Sequence, residues 1–297
     1  MVISIVRDKM KIIDILNKEK ITISCELFPP KPGCELYEAK KIVKDIAALK
    51  PSFVSVTCGA GGGMSDNTVS IANEVQNVNK ITALAHLTCV SSGREHIKKV
   101  LTELKSHDIE NILALRGDIP KEAHFPKEGQ YRHASELIKE ICDFGGFCVG
   151  GACYPEGHPE SPSMQKDIEG LKIKIDNGCQ FLTTQMFFDN NILYNFMFKL
   201  LKKGIDVPVI AGIIPVTNAK QITRICSLSG AVLPPRFKAI VDRFSDNSSA
   251  MKQAGIAYAT DQIIDLIANG VNNIHIYTMN KPDIAGSIIN NLSEIFK

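Results

Sequence analysis

Short apolar runs alternate with amphipathic stretches along nearly the whole chain. Ile21-Thr-Ile-Ser-Cys-Glu26-Leu-Phe28 alternates with the period of a strand and stops at Pro29-Pro30, which cannot continue a ladder. Further strands are predicted at 52–57, 81–87, 111–115, 147–154, 179–185, 207–213 and 272–277, each a short, mostly apolar run. Between them the apolar positions recur with helical spacing. Helices are predicted at 8–18, 35–49, 66–78, 93–106, 134–143, 163–176, 190–202 and 218–229. More helix is predicted beyond Pro234-Pro235 through about 269 and again from about 282. Asn177-Gly178 is a helix stop, and 119–132 is a polar loop.

Eight strands alternating with helices fit a (β/α)8 (TIM) barrel of class α/β. Strands buried on both faces read as continuous apolar runs, as these do. No linker or shift of composition divides residues 1–297, so a single domain is expected, with a short helix ahead of the first strand. An open doubly wound sheet is the other architecture with this element order. The dinucleotide fingerprint of that fold is missing, because the Gly-Ala-Gly-Gly-Gly run at 59–63 has the wrong spacing.

Composition narrows the function classes. The 34 basic and 32 acidic residues leave a net charge of +2 and form no long basic block, so nucleic acid is not an expected partner. No run reaches the roughly 18 apolar residues of a membrane span, and the N-terminus carries no apolar leader. Nine cysteines, an odd number, fall mostly in apolar runs (Cys25, Cys58, Cys89, Cys148, Cys153, Cys179) and form no C-x-x-C pair. They read as buried, reduced thiols in a soluble cytoplasmic protein, with no metal site.

Chemistry is suggested by position. Polar residues stand at or just past the C-terminal end of strand after strand: Glu26, Thr57, His86, Arg116 with Asp118, Tyr154 with His158, Gln185 and Tyr277. In a closed barrel these ends converge on one face. The fourth strand shows the pattern most sharply, since Asn111-Ile-Leu-Ala-Leu runs directly into Arg116-Gly117-Asp118. Each residue alone has an ordinary reading: Arg-Gly-Asp forms surface turns, and a histidine after an apolar run is often a core residue. Their recurrence is what argues for a site. The set contains no nucleophile–base pair, and a broad polar and aromatic lining with one acid suits a large bound cofactor.

The order of motifs resembles the methylenetetrahydrofolate reductase family. The residues that carry the resemblance are Glu26-Leu-Phe-Pro-Pro30, Ser55-Val-Thr57, Ala85-His-Leu-Thr88, Ala114-Leu-Arg-Gly-Asp118 and Tyr154-Pro-Glu-Gly-His158-Pro-Glu160. They continue with Leu171-Lys-Ile-Lys174, Thr184-Gln185, Phe187-Phe-Asp189, Gly212-Ile-Ile-Pro215 and His275-Ile-Tyr277-Thr-Met-Asn280. No C-terminal regulatory extension of the eukaryotic kind is expected, and the sequence resembles the compact bacterial form.

The resemblance implies bound FAD and a ping-pong reaction. A donor reduces the flavin and leaves, and 5,10-methylenetetrahydrofolate then enters and is reduced to 5-methyltetrahydrofolate. It implies that Glu26 is the general acid that opens the folate's five-membered ring. A carboxyl flanked by Cys25 and Leu27-Phe28 has the desolvated surroundings this task uses. Asp118 is implied to tune the flavin, disfavouring its anionic reduced form and offering charge to a cationic intermediate. Thr57, His86, Arg116, Gly117, Asp118, His133, Tyr154, His158, Asp167 and Lys174 are implied to contact FAD, with Arg116 and Lys174 serving the diphosphate. His133 stands where a tyrosine is common. Gln185, Gln221 and Lys281 are implied to contact the folate, Lys281 replacing a more usual arginine.

Some members stack an aromatic residue of the helix after the seventh strand on the nicotinamide, and Ile225 stands near that position here. The donor is therefore open between NADH, NADPH and a partner electron-transfer protein. Two alternatives follow: a flavoprotein subunit that needs a redox partner, and a barrel oxidoreductase of the proline-dehydrogenase kind. A homo-oligomer is neither required nor excluded by the sequence.

Overall fold

A computed structural model describes residues 9–30, 36–58, 65–90, 92–119 and 124–296, without the side chains of Leu36, Ser65, Asp66 and Leu228. The glycine run at 59–63 lies outside the described residues. Eight strands, β1 (Thr22–Leu27), β2 (Phe53–Val56), β3 (Ala83–Thr88), β4 (Asn111–Leu115), β5 (Cys148–Cys153), β6 (Phe181–Thr184), β7 (Val209–Ile213) and β8 (Asn273–Ile276), pair in parallel in chain order. The cylinder closes where β1 pairs with β8 in the register Thr22↔Asn273 and Cys25↔Ile276. The doubly wound alternative is therefore excluded.

Strand alternation sorts the side chains into two cores. One set of alternate residues, including Cys25, Leu27, Val54, Val56, Ala85, Leu87, Ile112, Ala114, Ala211, Ile213, Ile274 and Ile276, packs outward under the surrounding helices. The other set fills the barrel. Its lower part is apolar: Phe53, Leu84, Leu113, Cys148, Phe181 and Ile210 join Ile12, Ile15 and Leu16 of the first helix, α1 (Ile12–Lys18). Gly150 has no side chain because a β-carbon there would run into the Phe181 ring. The helix α1 thus plugs the bottom of the barrel and leaves its other end open.

Asn111 fastens this plug. Its Oδ1 accepts from the Ile12 amide at 2.8 Å, and its Nδ2 donates to the Met10 carbonyl at 3.1 Å. The polar residue that opens the fourth strand therefore serves as a clamp.

The remaining helices are α2 (Leu36–Ala47), α3 (Ser65–Asn73), α4 (Arg94–Ser106), α5 (Ala134–Phe144), α6 (Met164–Asp176), α7 (Asn190–Lys202), α8 (Ala219–Ser229), α9 (Pro235–Phe244), α10 (Ser248–Ala268) and α11 (Pro282–Asn291). The helix expected over 66–78 changes character midway, since α3 passes into a π-helical turn at Glu74–Val78. That turn carries the buried Gln76, whose amide donates to the Asp108 carbonyl at 2.5 Å and accepts from the Ala83 amide at 3.3 Å. The helical stretch through 269 is divided at Asn247, whose Oδ1 caps α10 by accepting from the Ala250 amide at 3.0 Å. A smaller core of Phe188, Ile214, Val216, Ile222, Phe237, Val241 and Met251 lies among α8, α9 and α10. Among the described residues no helix is long and apolar enough to cross a membrane.

Replacing Asn111, which is 1% exposed, by alanine leaves the buried Ile12 amide and Met10 carbonyl without their partner. The expected loss is about 1–3 kcal/mol of stability, checked by urea unfolding.

Candidate active site

The C-terminal ends of the strands surround a cleft of about 810 Å3. Its walls include Glu26, Thr57, His86, Arg116, Gly117, Asp118, His133, Tyr154, His158, Asp167, Lys174 and Gln185. These come from six of the eight strand–helix units, so only barrel closure brings them together. Gln221 and Lys281 are not part of this wall. Gln221 is exposed on the first turn of α8. Lys281 is exposed ahead of α11 and reaches Thr217 Oγ1 at 3.3 Å.

The cleft floor is polar on one side and apolar on the other. Glu26, only 7% exposed, projects from β1 and lies 3.9 Å from His275 Nε2. His86 is 7% exposed, and burial pushes its imidazole down to about 4, with Glu26 opposing the shift and His275 adding to it. His86 is therefore neutral at neutral pH. Its Nε2, Thr57 Oγ1 and Thr183 Oγ1 are buried polar atoms with no hydrogen-bond partner among the described residues, and all three residues line the cleft. Such orphaned groups are rare in cores and mark where a polar ligand completes the bonding. Tyr277 is anchored by its hydroxyl, which donates to the Thr184 carbonyl at 2.6 Å. Gly212 makes room for it, because a β-carbon there would meet the Tyr277 ring.

A cationic wall stands beside this floor. Arg116 donates to Glu160 through both terminal nitrogens, at 2.5 and 2.8 Å, and hydrogen bonding to the guanidinium holds the Glu160 carboxyl below the usual carboxylate range. One N–H on each terminal nitrogen remains beyond this fork. Lys174 donates to the Ala152 carbonyl at 2.8 Å, and burial pulls its ammonium below the usual lysine range. Gly117 adopts φ +84°, and a β-carbon there would press on Thr88, so glycine sets the turn that presents Asp118 at the rim.

The segment 154–160 is a rigid ledge. His158 Nδ1 accepts from the Glu160 amide at 3.1 Å, while the His158 amide donates to Asp167 Oδ2 at 3.1 Å. The His158 ring packs edge-on against Tyr154, with centroids 4.6 Å apart. Burial pushes the Tyr154 phenol up to about 12. Glu156 accepts from the Val232 amide at 3.1 and 3.2 Å, tying the ledge to the chain after α8.

Sequence position alone did not reveal Ser24, Ser55, His275 or Thr183, which sit inside strands and point into the barrel. Their polarity at alternate positions of apolar strands was the available signal. Ile225 is half-buried in the small core under α8 and does not line the cleft. No disulfide joins the described cysteines. Burial pushes the Cys25, Cys89 and Cys179 thiols up to about 12, so they stay protonated. No cluster of potential metal ligands occurs among the described residues.

A closed parallel barrel with a large, polar-lined cleft at the C-terminal ends of its strands defines a (β/α)8-barrel enzyme. The family model for methylenetetrahydrofolate reductase matches residues 11–293. The chain belongs to that family and is an enzyme of it. A 5,10-methylenetetrahydrofolate reductase of Pectobacterium carotovorum subsp. carotovorum is 33% identical over 273 residues, covering 92% of this chain and 90% of that protein. The Arabidopsis thaliana relative, methylenetetrahydrofolate reductase (NADH) 1, is 32% identical over 96% of this chain, which spans 51% of the plant protein. Among solved structures, an uncharacterized Clostridium thermocellum protein that binds two copies of 5-methyl-5,6,7,8-tetrahydrofolic acid matches with TM-score 0.69. It is 16% identical and covers 96% of this chain and 100% of its own, a likeness of fold.

Because native His86 takes up its proton near 4 and the unfolded chain near 6.5, the unfolded state binds more protons between these values. Stability therefore falls as pH drops through that window, by up to about 3 kcal/mol, and the loss levels off below it. A His86→Asn variant lacks this contribution, which urea unfolding across the window checks.

Proposed function

We propose that this enzyme reduces 5,10-methylenetetrahydrofolate to 5-methyltetrahydrofolate with FAD bound in the cleft, Glu26 acting as general acid. Family membership supports the reaction. The observation that carries the cofactor is the set of orphaned polar atoms, Thr57 Oγ1, His86 Nε2 and Thr183 Oγ1, lining one cleft beside two cations. That chemistry fits a large ligand with a flat, hydrogen-bonding ring and an anionic diphosphate. FAD, when bound, supplies the two-electron carrier between donor and folate.

The chain's own residues have separable tasks in this reading. Arg116 and Lys174 meet the diphosphate, Arg116 held in place by its fork to Glu160. Tyr154, braced by His158, offers ring surface. Neutral His86 accepts or donates a hydrogen bond without adding charge. Asp118 at the rim supplies a carboxylate that tunes the cofactor and faces a cationic folate intermediate. Glu26 gives a proton to the folate nitrogen as its bond to the one-carbon bridge breaks. Gln185 lies on the same wall for the pterin, while Gln221 and Lys281, outside the wall, can meet only the more distal parts of the folate.

The donor is NADH or NADPH in this reading, and relatives named as NADH enzymes support it. A partner electron-transfer protein is the second reading. It is favoured by Ile225, whose side chain packs into a core where some family members offer an aromatic face to the nicotinamide.

Purified enzyme reconstituted with FAD is expected to show a flavin spectrum, and failure to take up FAD would sink the assignment. Stopped-flow reduction by NADH and NADPH separates the two donor readings, because fast reduction by either excludes an obligatory partner protein. Glu26→Gln is expected to retain FAD and donor oxidation while folate reduction falls about 100-fold to 10,000-fold. Equal loss of both half-reactions would remove Glu26 from the acid role.

A further inference from the structure

Beneath Glu26 lies a buried polar network that the reaction as described does not use. His275 is 2% exposed on β8 and sits between two inward-pointing serines of neighbouring strands. Ser24 Oγ on β1 is 2.7 Å from His275 Nδ1, and Ser55 Oγ on β2 is 3.2 Å from His275 Nε2. The ring is stacked on Phe53, interplanar angle 12°, and meets Tyr277 edge-on at 87°. It is thus held in plane, tilt and depth by four neighbours. The held ring places Nε2 3.9 Å from Glu26 Oε2. Register fixes the rest: Glu26 is two residues beyond Ser24 on the inward face of β1 and pairs with Ser55 on β2.

The hydroxyl count narrows the bonding. Ser24 has one proton and two acceptors in reach, His275 Nδ1 and the Ile274 carbonyl at 3.1 Å. When it donates to Ile274, Nδ1–H donates to Ser24 and Nε2 becomes the acceptor. The single lone pair of Nε2 then faces both the Ser55 hydroxyl at 3.2 Å and Glu26 at 3.9 Å, and accepts from Ser55 or from a Glu26 carboxyl O–H, one at a time. The opposite side of the lower barrel is filled by Leu113, Phe181 and Ile210, so packing alone does not call for a polar triad at this level.

We infer that His275, fixed by Ser24 and Ser55, is a positioning residue that orients the carboxyl of Glu26 for proton transfer to the folate. The inference rests on Glu26 being the acid. It assigns His275 no contact with the folate or the flavin.

The test uses FAD-loaded enzyme reduced with dithionite, which bypasses the donor, and mixes it with 5,10-methylenetetrahydrofolate while flavin reoxidation is followed. His275→Asn keeps a polar atom for Ser24 and removes Nε2, whereas His275→Gln restores a polar atom near the Nε2 position. His275→Asn is expected to slow reoxidation by about 10-fold to 100-fold, with His275→Gln recovering much of the loss. FAD content and calorimetric binding of 5-methyltetrahydrofolate are expected to change by less than about 2-fold, and His275→Asn is expected to add no further loss in a Glu26→Gln background. Unchanged reoxidation in His275→Asn, or a full additional loss on top of Glu26→Gln, overturns the inference while leaving Glu26 as the acid. Reoxidation of Glu26→Gln at the unsubstituted rate overturns the acid assignment and the inference together. If the histidine variants do not fold, Ser24→Ala serves instead: slowing of about 3-fold to 10-fold is expected, and none overturns the inference.

Discussion

Closing eight short parallel strands into a cylinder is the constraint on which everything else in this molecule depends. Once β1 pairs with β8, every second side chain must enter an interior too narrow for more than stacked layers of residues. The lower layers are filled by Phe53, Leu84, Leu113, Phe181 and Ile210 and sealed by α1. The upper layers hold Glu26, His86 and Thr183, which open onto the cleft. The same alternation that sends Cys25 and Leu27 outward to the helices sends Ser24 and Glu26 inward. A one-residue slip of β1 would exchange these sets and remove both core and site at once.

The cleft then trades some stability for readiness. Three buried polar atoms of the cleft lack partners among the described residues, and the His86 imidazole is pushed down in its acidity range by the burial that keeps it neutral. Each is a cost in the free protein that a hydrogen-bonding ligand relieves. The charged groups, by contrast, are already organised. Arg116 is held by Glu160, Lys174 by the Ala152 carbonyl, and the His158 backbone by Asp167. A ligand arriving at this wall meets side chains whose rotamers are already restricted, so less ordering is needed on binding.

The glutamate at the floor is set in a different way from the cations at the wall. Of the cations, Arg116 is braced by Glu160 in the segment after β5, and Lys174, on α6, by the Ala152 carbonyl of β5. Glu26 stands on a strand, two residues above Ser24 and across from Ser55, with the His275 ring beneath it. Groups on barrel strands move little relative to one another. The acid proposed above is therefore built on a strand of the barrel, and the residues proposed to hold the ligand on the turns and helices that follow the strands.

The sequence by itself determined the element order and the barrel, because short apolar runs separated by helical periodicity leave few other solutions. It also placed Glu26, Thr57, His86, Arg116, Tyr154 and Gln185 at strand ends, since a strand ending in a polar residue is a local pattern. It did not reach what was not local. Asn111 reads as the first residue of a strand, which it is, and its second role as a clamp for α1 appears only in the fold. Asp167 and Glu160 gained their partners only through the folding-back of the 154–160 segment onto α6 and β4. Gln221 and Lys281 stand in suitable units yet fall outside the wall, because the reach of a loop is not encoded in its spacing. Ser24, Ser55 and His275 belong to three strands, His275 lying 251 and 220 positions from the two serines, and only barrel closure makes them neighbours. Periodicity is a property of neighbours along the chain, and a hydrogen-bonded triad across three strands is a property of the closed cylinder; the first is legible in sequence, and the second exists only once β1 has met β8.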